Sequence, residues 1–442
     1  MLNLTDLPPP APPPEPPHSP PPVAPAPASW LSTLGPGLIT GAADDDPSGI
    51  ATYSQAGAQF GFGMLWTVLL TFPLMAAIQI VSARIGRVTG HGLATNIGRH
   101  FPAWLLYSVV GLLLAANTIN IAADIAAMGQ ALKLLAGGPA HLYAAGFGLL
   151  SMALQVLIPY QRYVRILKWL TLALLAYVAT ALAVHVPWLQ VLRQSLLPTL
   201  SSQPAYLTTV VAIFGTTISP YLFFWQASQE VEDLIADPKA HALKRAPAQA
   251  CVNFRRIKID TVIGMGFSNL VAFFIILTTA LTLGAHGITE IDSSAQAASA
   301  LRPIAGEFAF LLFSLGIIGT GLLAVPVLAG SAAYAIAGAM HWRNSLELQL
   351  SGAKKFYAII IGSTGIGTLL CFSAIDPIKA LYWSAVLNGV ISVPIMALMM
   401  LLVTRHAVMG KLVASRRLKI AGWLCTAVMA LAVAAMFATM GS

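Results

Sequence analysis

Charge is what this sequence has least of. Only 9% of its 442 residues are Asp, Glu, Lys or Arg, where a soluble domain carries about 25%. Hydrophobic residues make up 57% and the mean hydropathy is +0.77, so an ordinary water-soluble domain is excluded. Cysteine is nearly absent: Cys251, Cys371 and Cys425 stand singly, which leaves neither a disulfide framework nor a cysteine zinc site. No Gly-rich Lys motif of the Walker type occurs, so ATP-driven pumping has no support. Of nine histidines, six (His91, His100, His141, His241, His341 and His406) sit in or beside the polar connections, which speaks against a buried histidine cage. The N-terminus has no Lys or Arg and no long apolar run before residue 30, unlike a secretory signal peptide.

What the chain does have begins with 13 prolines in its first 29 residues, a composition expected to form a disordered, partly extended cytoplasmic tail. Beyond it lie apolar stretches long enough to cross a bilayer, which takes about 20 residues each. Eleven are expected, near 31–58, 62–84, 102–128, 139–158, 164–187, 205–229, 256–283, 304–338, 356–374, 380–403 and 418–440. With the N-terminus in the cytoplasm, 20 of the 24 Lys and Arg residues fall on the cytoplasmic side, in agreement with the positive-inside rule. This accounts for the net charge of +8 without a nucleic-acid partner. The expectation is an all-α, multi-pass protein of the cell (inner) membrane, with the C-terminus extracytoplasmic and the lipid bilayer as its surroundings.

Two of these stretches contain helix breakers. The first reads "GAADDDPSGIA", with Asp44, Asp45 and Asp46 ahead of Pro47, Ser48 and Gly49. The sixth reads "IFGTTISPYLFFWQ", with Ser219 ahead of Pro220. Pro47, Ser48 and Pro220 are the expected breaks, because proline removes a backbone donor and glycine tolerates the irregular dihedrals that follow. Breaks in the first and sixth spans suit an inverted five-plus-five repeat, in which a substrate sits at the midplane between two discontinuous helices. A carboxylate at the centre of a span costs roughly 2.5–3.5 kcal/mol. A carboxylate beside exposed carbonyls forms a hard, negative, oxygen-rich site suited to a cation and ill suited to an amino acid's carboxylate. Asp46 is the first ligand candidate. On a helical turn Asp44 and Asp45 point elsewhere, so they are expected to line the aqueous approach or to be neutralised by protonation. Asp124 in the third span is a pathway residue or a structural one. Gln226 is expected to face the site or the inner path. Glu230, with Glu232 and Asp233, either attracts cations at the inner vestibule or forms a solvated helix end.

These residues resemble the NRAMP family of divalent-metal transporters. "GPGLITGAADDDPSGIA" is similar to that family's first-helix segment, usually Asp-Pro-Gly-Asn, and "GTTISPYLFFWQA" to its sixth-helix segment, usually Met-Pro-His. "GRVTGHGLATNIGRHFP", "IAADIAAMGQAL" and "IDTVIG" extend the resemblance over most of residues 30–405. It implies a LeuT-like fold, alternating access and import of divalent cations, with a first repeat at about 30–187, a second at about 204–403, and a connecting loop and eleventh helix at 406–442. The implied ligands are Asp46, the carbonyl of Gly49 in place of the family's asparagine, Ser219 in place of its methionine, the carbonyl of Ile218, and Asn388 in the tenth helix. Tyr221 stands where the family has histidine.

Loss of the soft thioether favours a harder, wider site, and Mg²⁺ keeps several of its waters. The pattern therefore resembles the NRAMP-related magnesium transporter branch. The expected cargo is chiefly Mg²⁺, then Mn²⁺, with no cofactor and weak or no proton coupling because most titratable relay groups are missing. A proton-coupled Mn²⁺/Fe²⁺ transporter is the alternative. An intramembrane aspartyl hydrolase lacks its motif, so no enzymatic activity is expected.

Overall fold

The computed structural model describes residues 40, 41, 43–158, 170–237, 239–346, 348, 350–373 and 376–440. The proline-rich tail, the start of the first expected span and the first six residues of the fifth lie outside them. All regular structure among the described residues is helical. After helical residues 40, 41, 43 and 44 come α1 (Pro47–Phe60), α2 (Leu65–Thr89), α3 (Leu93–His100), α4 (Ala103–Ala136) and α5 (Ala140–Leu157). Next are α6 (Leu175–Ala183), α7 (Trp188–Leu196), α8 (Pro204–Thr217), α9 (Pro220–Ala236) and α10 (Ala250–Thr282). The remaining long helices are α11 (Ala309–Ala339), α12 (Lys354–Leu370), α13 (Pro377–Thr404) and α14 (Arg416–Met440).

Among the described residues, eight helical runs are long and apolar enough to cross a bilayer, or nine if Leu172–Ala183 and Trp188–Leu196, bent by 118°, form one span. The expected count of eleven is not reproduced, for identifiable reasons. Residues Pro47–Thr89 form one helical run of 43 residues that takes in 47–58 of the first expected span and all of the second, joined by a 3-10 turn at Gly61–Met64. α12 has 17 residues, at the lower limit for a crossing, and residues 164–169 of the fifth expected stretch are not described.

Helix ends follow their local chemistry. Asp376 caps α13 by accepting from the amides of Ile378 and Lys379 at 2.9 and 3.1 Å, ahead of Pro377 at the first helical position. Gly90, at φ +70°, ends α2 in the left-handed region that glycine enters without a Cβ penalty. α4, at ~51 Å for its length, is long enough to overshoot the hydrocarbon layer. It packs against α5, α11, α12 and α13, while α1 packs against α10 and α13, and α9 against α2 and α11.

The two breaks lie slightly upstream of the expected residues. Pro47 and Ser48 begin α1, and Pro220 begins α9; the non-helical residues are Asp45–Asp46 and Ile218–Ser219. Proline at the first position of a helix loses nothing, because its missing N–H has no intrahelical acceptor there. Its ring instead pushes the preceding residue out of the helical region. Asp46 (φ −72°, ψ 170°) and Ser219 (φ −77°, ψ 133°) are accordingly extended.

α8 meets α13 through a pair of glycines. A Cβ on Gly215 would lie 2.0 Å from the Ala385 carbonyl oxygen and 2.5 Å from the Gly389 amide nitrogen. Small residues at such crossings let helix backbones touch, the main source of packing energy between helices in lipid. Gly215→Ala should therefore force the helices apart and destabilise the fold by about 1–3 kcal/mol, read as a lower unfolding midpoint of the detergent-solubilised protein. An unchanged midpoint would show that this contact yields freely.

Candidate metal centre

Asp46 is buried, with 1% of its surface exposed. Its Oδ1 accepts from the Gly49 amide and from Ser48 Oγ, both at 2.7 Å, so the carboxylate caps α1. A negative side chain at a helix N-terminus gains from the helix dipole. The second oxygen, Oδ2, accepts from Asn120 Nδ2 at 3.0 Å. Asn120 is itself held by Ser384 of α13, whose Oγ donates to Asn120 Oδ1 at 2.6 Å. The carboxylate is thus oriented from α1, α4 and, through one intermediary, α13.

The α13 side of the centre follows from helical spacing. Ser384, Asn388 and Ser392 recur every four residues, which places them on one face. Ser392 Oγ donates to the Ile218 carbonyl at 2.7 Å. Asn388 lies between these two serines, 1% exposed, and neither its Oδ1 nor its Nδ2 has a hydrogen-bond partner. A buried amide without partners is costly, and a ligand oxygen is a natural use for it.

Three expected ligands are placed differently. Gly49 lies within the first turns of α1, so its carbonyl belongs to the helix rather than to an unwound strand. The Ile218 carbonyl is in the break but already accepts from Ser392. Ser219 Oγ turns back to the last turn of α8, within 2.8 Å of the carbonyls of Gly215 and Thr216. Its hydrogen is directed at those carbonyls, which leaves the hydroxyl with acceptor capacity only.

The pathway candidates sort as follows. Tyr221 OH donates to the Ala43 carbonyl at 3.1 Å, and Thr40 Oγ1 donates to Gln226 Oε1 at 2.5 Å. Both side chains of α9 therefore tie it to the segment ahead of the first break. Asp44 and Asp45 do not line an open approach: they are 0% and 2% exposed, and both meet Ser268 of α10, at 2.6 and 2.9 Å. One hydroxyl supplies one hydrogen, so both contacts are hydrogen bonds only if a further hydrogen is present on the pair. Asp124 is fully buried, one helical turn beyond Asn120, and neither carboxyl oxygen has a partner. Glu230 is not a solvated helix end; it is buried and ion-paired with Arg256 of α10. Glu232 accepts from Tyr334 OH and Ser345 Oγ, each at 2.7 Å.

Sequence reading missed Asn120, Ser268 and Ser384. A signal for Asn120 was present: Asn117, Asn120 and Asp124 at spacings of three and four form one polar stripe on an otherwise apolar helix. Among the described residues no group of three or more His, Cys, Asp or Glu side chains is assembled to hold a metal. The centre instead offers one oriented carboxylate among neutral oxygens, which suits brief occupancy by a hydrated cation better than permanent retention.

A bundle with two helices broken at a buried carboxylate has the architecture of a secondary transporter with a midplane ion site. The chain belongs to the family described as natural resistance-associated macrophage protein-like (Nramp), whose profile matches residues 37–439. It is 27% identical to the divalent metal cation transporter MntH of Acidiphilium cryptum (strain JF-5) over 397 residues, covering 87% of this chain and 86% of the relative. It is 26% identical to that of Klebsiella pneumoniae (strain 342) over 412 residues, covering 90% and 92%. Among solved structures, the Eremococcus coleocola manganese transporter superposes with a TM-score of 0.72 at 18% identity, covering 95% of this chain and 90% of that one. Mhp1, a nucleobase-cation-symport-1 family transporter in a closed conformation, gives 0.51 at 14% identity, covering 92% of each. These structures share the fold. None of these relatives is described as a magnesium transporter, so the resemblance to a magnesium branch gains no support from them.

Replacing Asn120 with alanine removes the donor that aims Asp46 Oδ2. Loss of such an outer partner typically lowers metal affinity about 10–100-fold, which isothermal titration of Mn²⁺ into the purified variant would detect. Wild-type affinity in Asn120→Ala would show that the cap on α1 alone orients the carboxylate.

Proposed function

We propose that this protein is a secondary transporter that imports divalent metal cations by alternating access, binding the ion at Asp46 between the two helix breaks. The observation that carries this reading is the Asp46 carboxylate, buried and held at a helix N-terminus by Gly49 and Asn120, with the partnerless Asn388 amide on the facing stripe of α13. Asp46 and Asn388 supply the primary oxygens and Ser219 adds a neutral one. Asp124 lies further along the polar stripe of α4.

Mn²⁺ is the leading cargo. The relatives named for a cargo are divalent metal cation and manganese transporters, and a site of one carboxylate and amide oxygens accommodates Mn²⁺. Mg²⁺ is the second reading, and one observation favours it: none of Asp46, Asn120, Ser219, Ser384 and Asn388, the side chains that meet around the breaks, carries sulfur. Proton coupling is weak or absent, because Tyr221 and Gln226 carry no titrating imidazole and are bonded to the segment ahead of the first break. The membrane potential then supplies most of the drive, roughly 4.6 kcal/mol per 100 mV for a divalent ion.

Uptake into proteoliposomes tests this reading. Asp46→Ala should abolish uptake of Mn²⁺ and Mg²⁺ alike; full uptake in the variant would remove Asp46 from the site. Mn²⁺ entry that excess Mg²⁺ does not compete away supports the first cargo, and saturable Mg²⁺ entry competed by Mn²⁺ supports the second. Ser219→Met should raise the preference for Cd²⁺ over Mg²⁺, since a thioether selects softer ions. An unchanged ratio would place selectivity elsewhere. Lumenal acidification in proportion to ion flux would overturn the uncoupled mechanism.

A further inference from the structure

At the end of the bundle where α2 stops and α3 begins, a cavity of about 340 Å³ is lined by side chains of one sign. His91, Arg99 and His100 enter it from α3 and its approach, and Lys244 and Arg245 from the connection between α9 and α10. No Asp or Glu lines it. Among the described residues, no carboxylate lies within 4.0 Å of Arg99, Lys244 or Arg245. Cations gathered in a concavity without a counter-ion repel one another, more so where the walls exclude water. The histidine registers this: burial, then the neighbouring guanidiniums of Arg99 and Arg245, hold the His91 pKa below its ordinary value.

The frame of the cavity is fixed independently of any occupant. The amides of Leu243 and Lys244 donate to the carbonyls of Arg87 and Val88 at 3.1 and 3.0 Å, which pins the α9–α10 connection to the end of α2. Asn96, 2% exposed, donates from Nδ2 to Thr89 Oγ1 and to the carbonyls of His91 and Gly92 at 2.8–3.0 Å, which fixes the turn into α3. Lys244 Nζ donates to the Ala407 carbonyl at 2.9 Å and so bridges to the segment after α13. The two arginine heads are exposed and bonded to no acid, and guanidinium groups pair with phosphate oxygens through parallel N–H donors.

We propose that this pocket binds a phosphate-bearing anion. Its volume lies in the range of small-molecule sites, and basic pockets at the membrane face of helical bundles receive anionic headgroups. An occupant there bridges three connections, those before α3, after α9 and after α13. It is distant in the chain from Asp46 and independent of which metal is carried.

The full chain, purified and delipidated, would be compared in three settings: nanodiscs of phosphatidylglycerol, nanodiscs of phosphatidylcholine, and phosphatidylcholine nanodiscs with inorganic phosphate. Native mass spectrometry and thermal unfolding read binding. Retention of phosphatidylglycerol with a raised midpoint identifies a lipid headgroup as the source; stabilisation by inorganic phosphate in the zwitterionic nanodisc identifies a soluble one. In either case the double variant Arg99→Gln, Arg245→Gln should bind at least about tenfold more weakly, the loss expected for charge-assisted hydrogen bonds, with Mn²⁺ affinity unchanged. Should that variant not fold, Arg245→Gln alone is read in the same assay, and Arg245→Lys should restore only part of the affinity. Binding of neither probe, or equal binding by wild type and variants, overturns the proposal.

Discussion

The structure turns on one carboxylate placed where an apolar bundle least tolerates it. Asp46 is accommodated because the residue before a proline is driven out of the helix, and there its side chain caps the helix that the proline begins. The break and the cap are therefore a single device. Without the break, the carboxylate would project from a continuous apolar helix. Without the carboxylate, the first amides of α1 would lose a buried acceptor.

A break in a membrane helix also leaves orphan carbonyls, and these are closed from other helices. Tyr221 reaches the Ala43 carbonyl, Ser392 the Ile218 carbonyl, and Ser219 the last carbonyls of α8. This follows from the rule that non-helical backbone at membrane depth must find partners in protein or water. Buried side-chain atoms without partners remain in many parts of the bundle; on the polar stripes of α4 and α13 they include both oxygens of Asp124 and the whole amide of Asn388. The centre is defined as much by what its neighbours have satisfied as by what they leave open.

The part of this arrangement legible in the sequence was the part carried by strong local signals. Three aspartates ahead of a proline inside an apolar run, and a second Ser-Pro five spans later, mark the broken helices without any structure. The breaks sit one or two residues ahead of the prolines, because proline stabilises a first turn and disrupts the residue before it. Asn120 carries a sequence signal, the polar stripe it shares with Asn117 and Asp124, whereas Ser268 and Ser384 are not legible as site residues. Each is a single neutral side chain on a long apolar helix, and its role depends on which helix crosses it. Glu230 looked like a helix end near water because its partner, Arg256, is 26 residues away. The span count suffered from the same limit: hydropathy locates apolar stretches but does not say where a 3-10 turn joins two of them or where a helix stops at 17 residues. The cargo is harder still, since donor softness argues for one ion and the named relatives for another.

The glycine contact between α8 and α13 has a mechanical consequence. With a backbone carbonyl of α13 seated where any Cβ of residue 215 would be, the two helix backbones are in direct contact at this crossing. Helices packed so closely tend to travel together, as one lever. Displacement of that lever relative to α1 is then absorbed at the few residues free of helical hydrogen bonding, Asp45–Asp46 and Ile218–Ser219. Two of the residues proposed to hold the ion, Asp46 and Ser219, stand at those joints, so a swing there would also move the proposed ligands relative to Asn388.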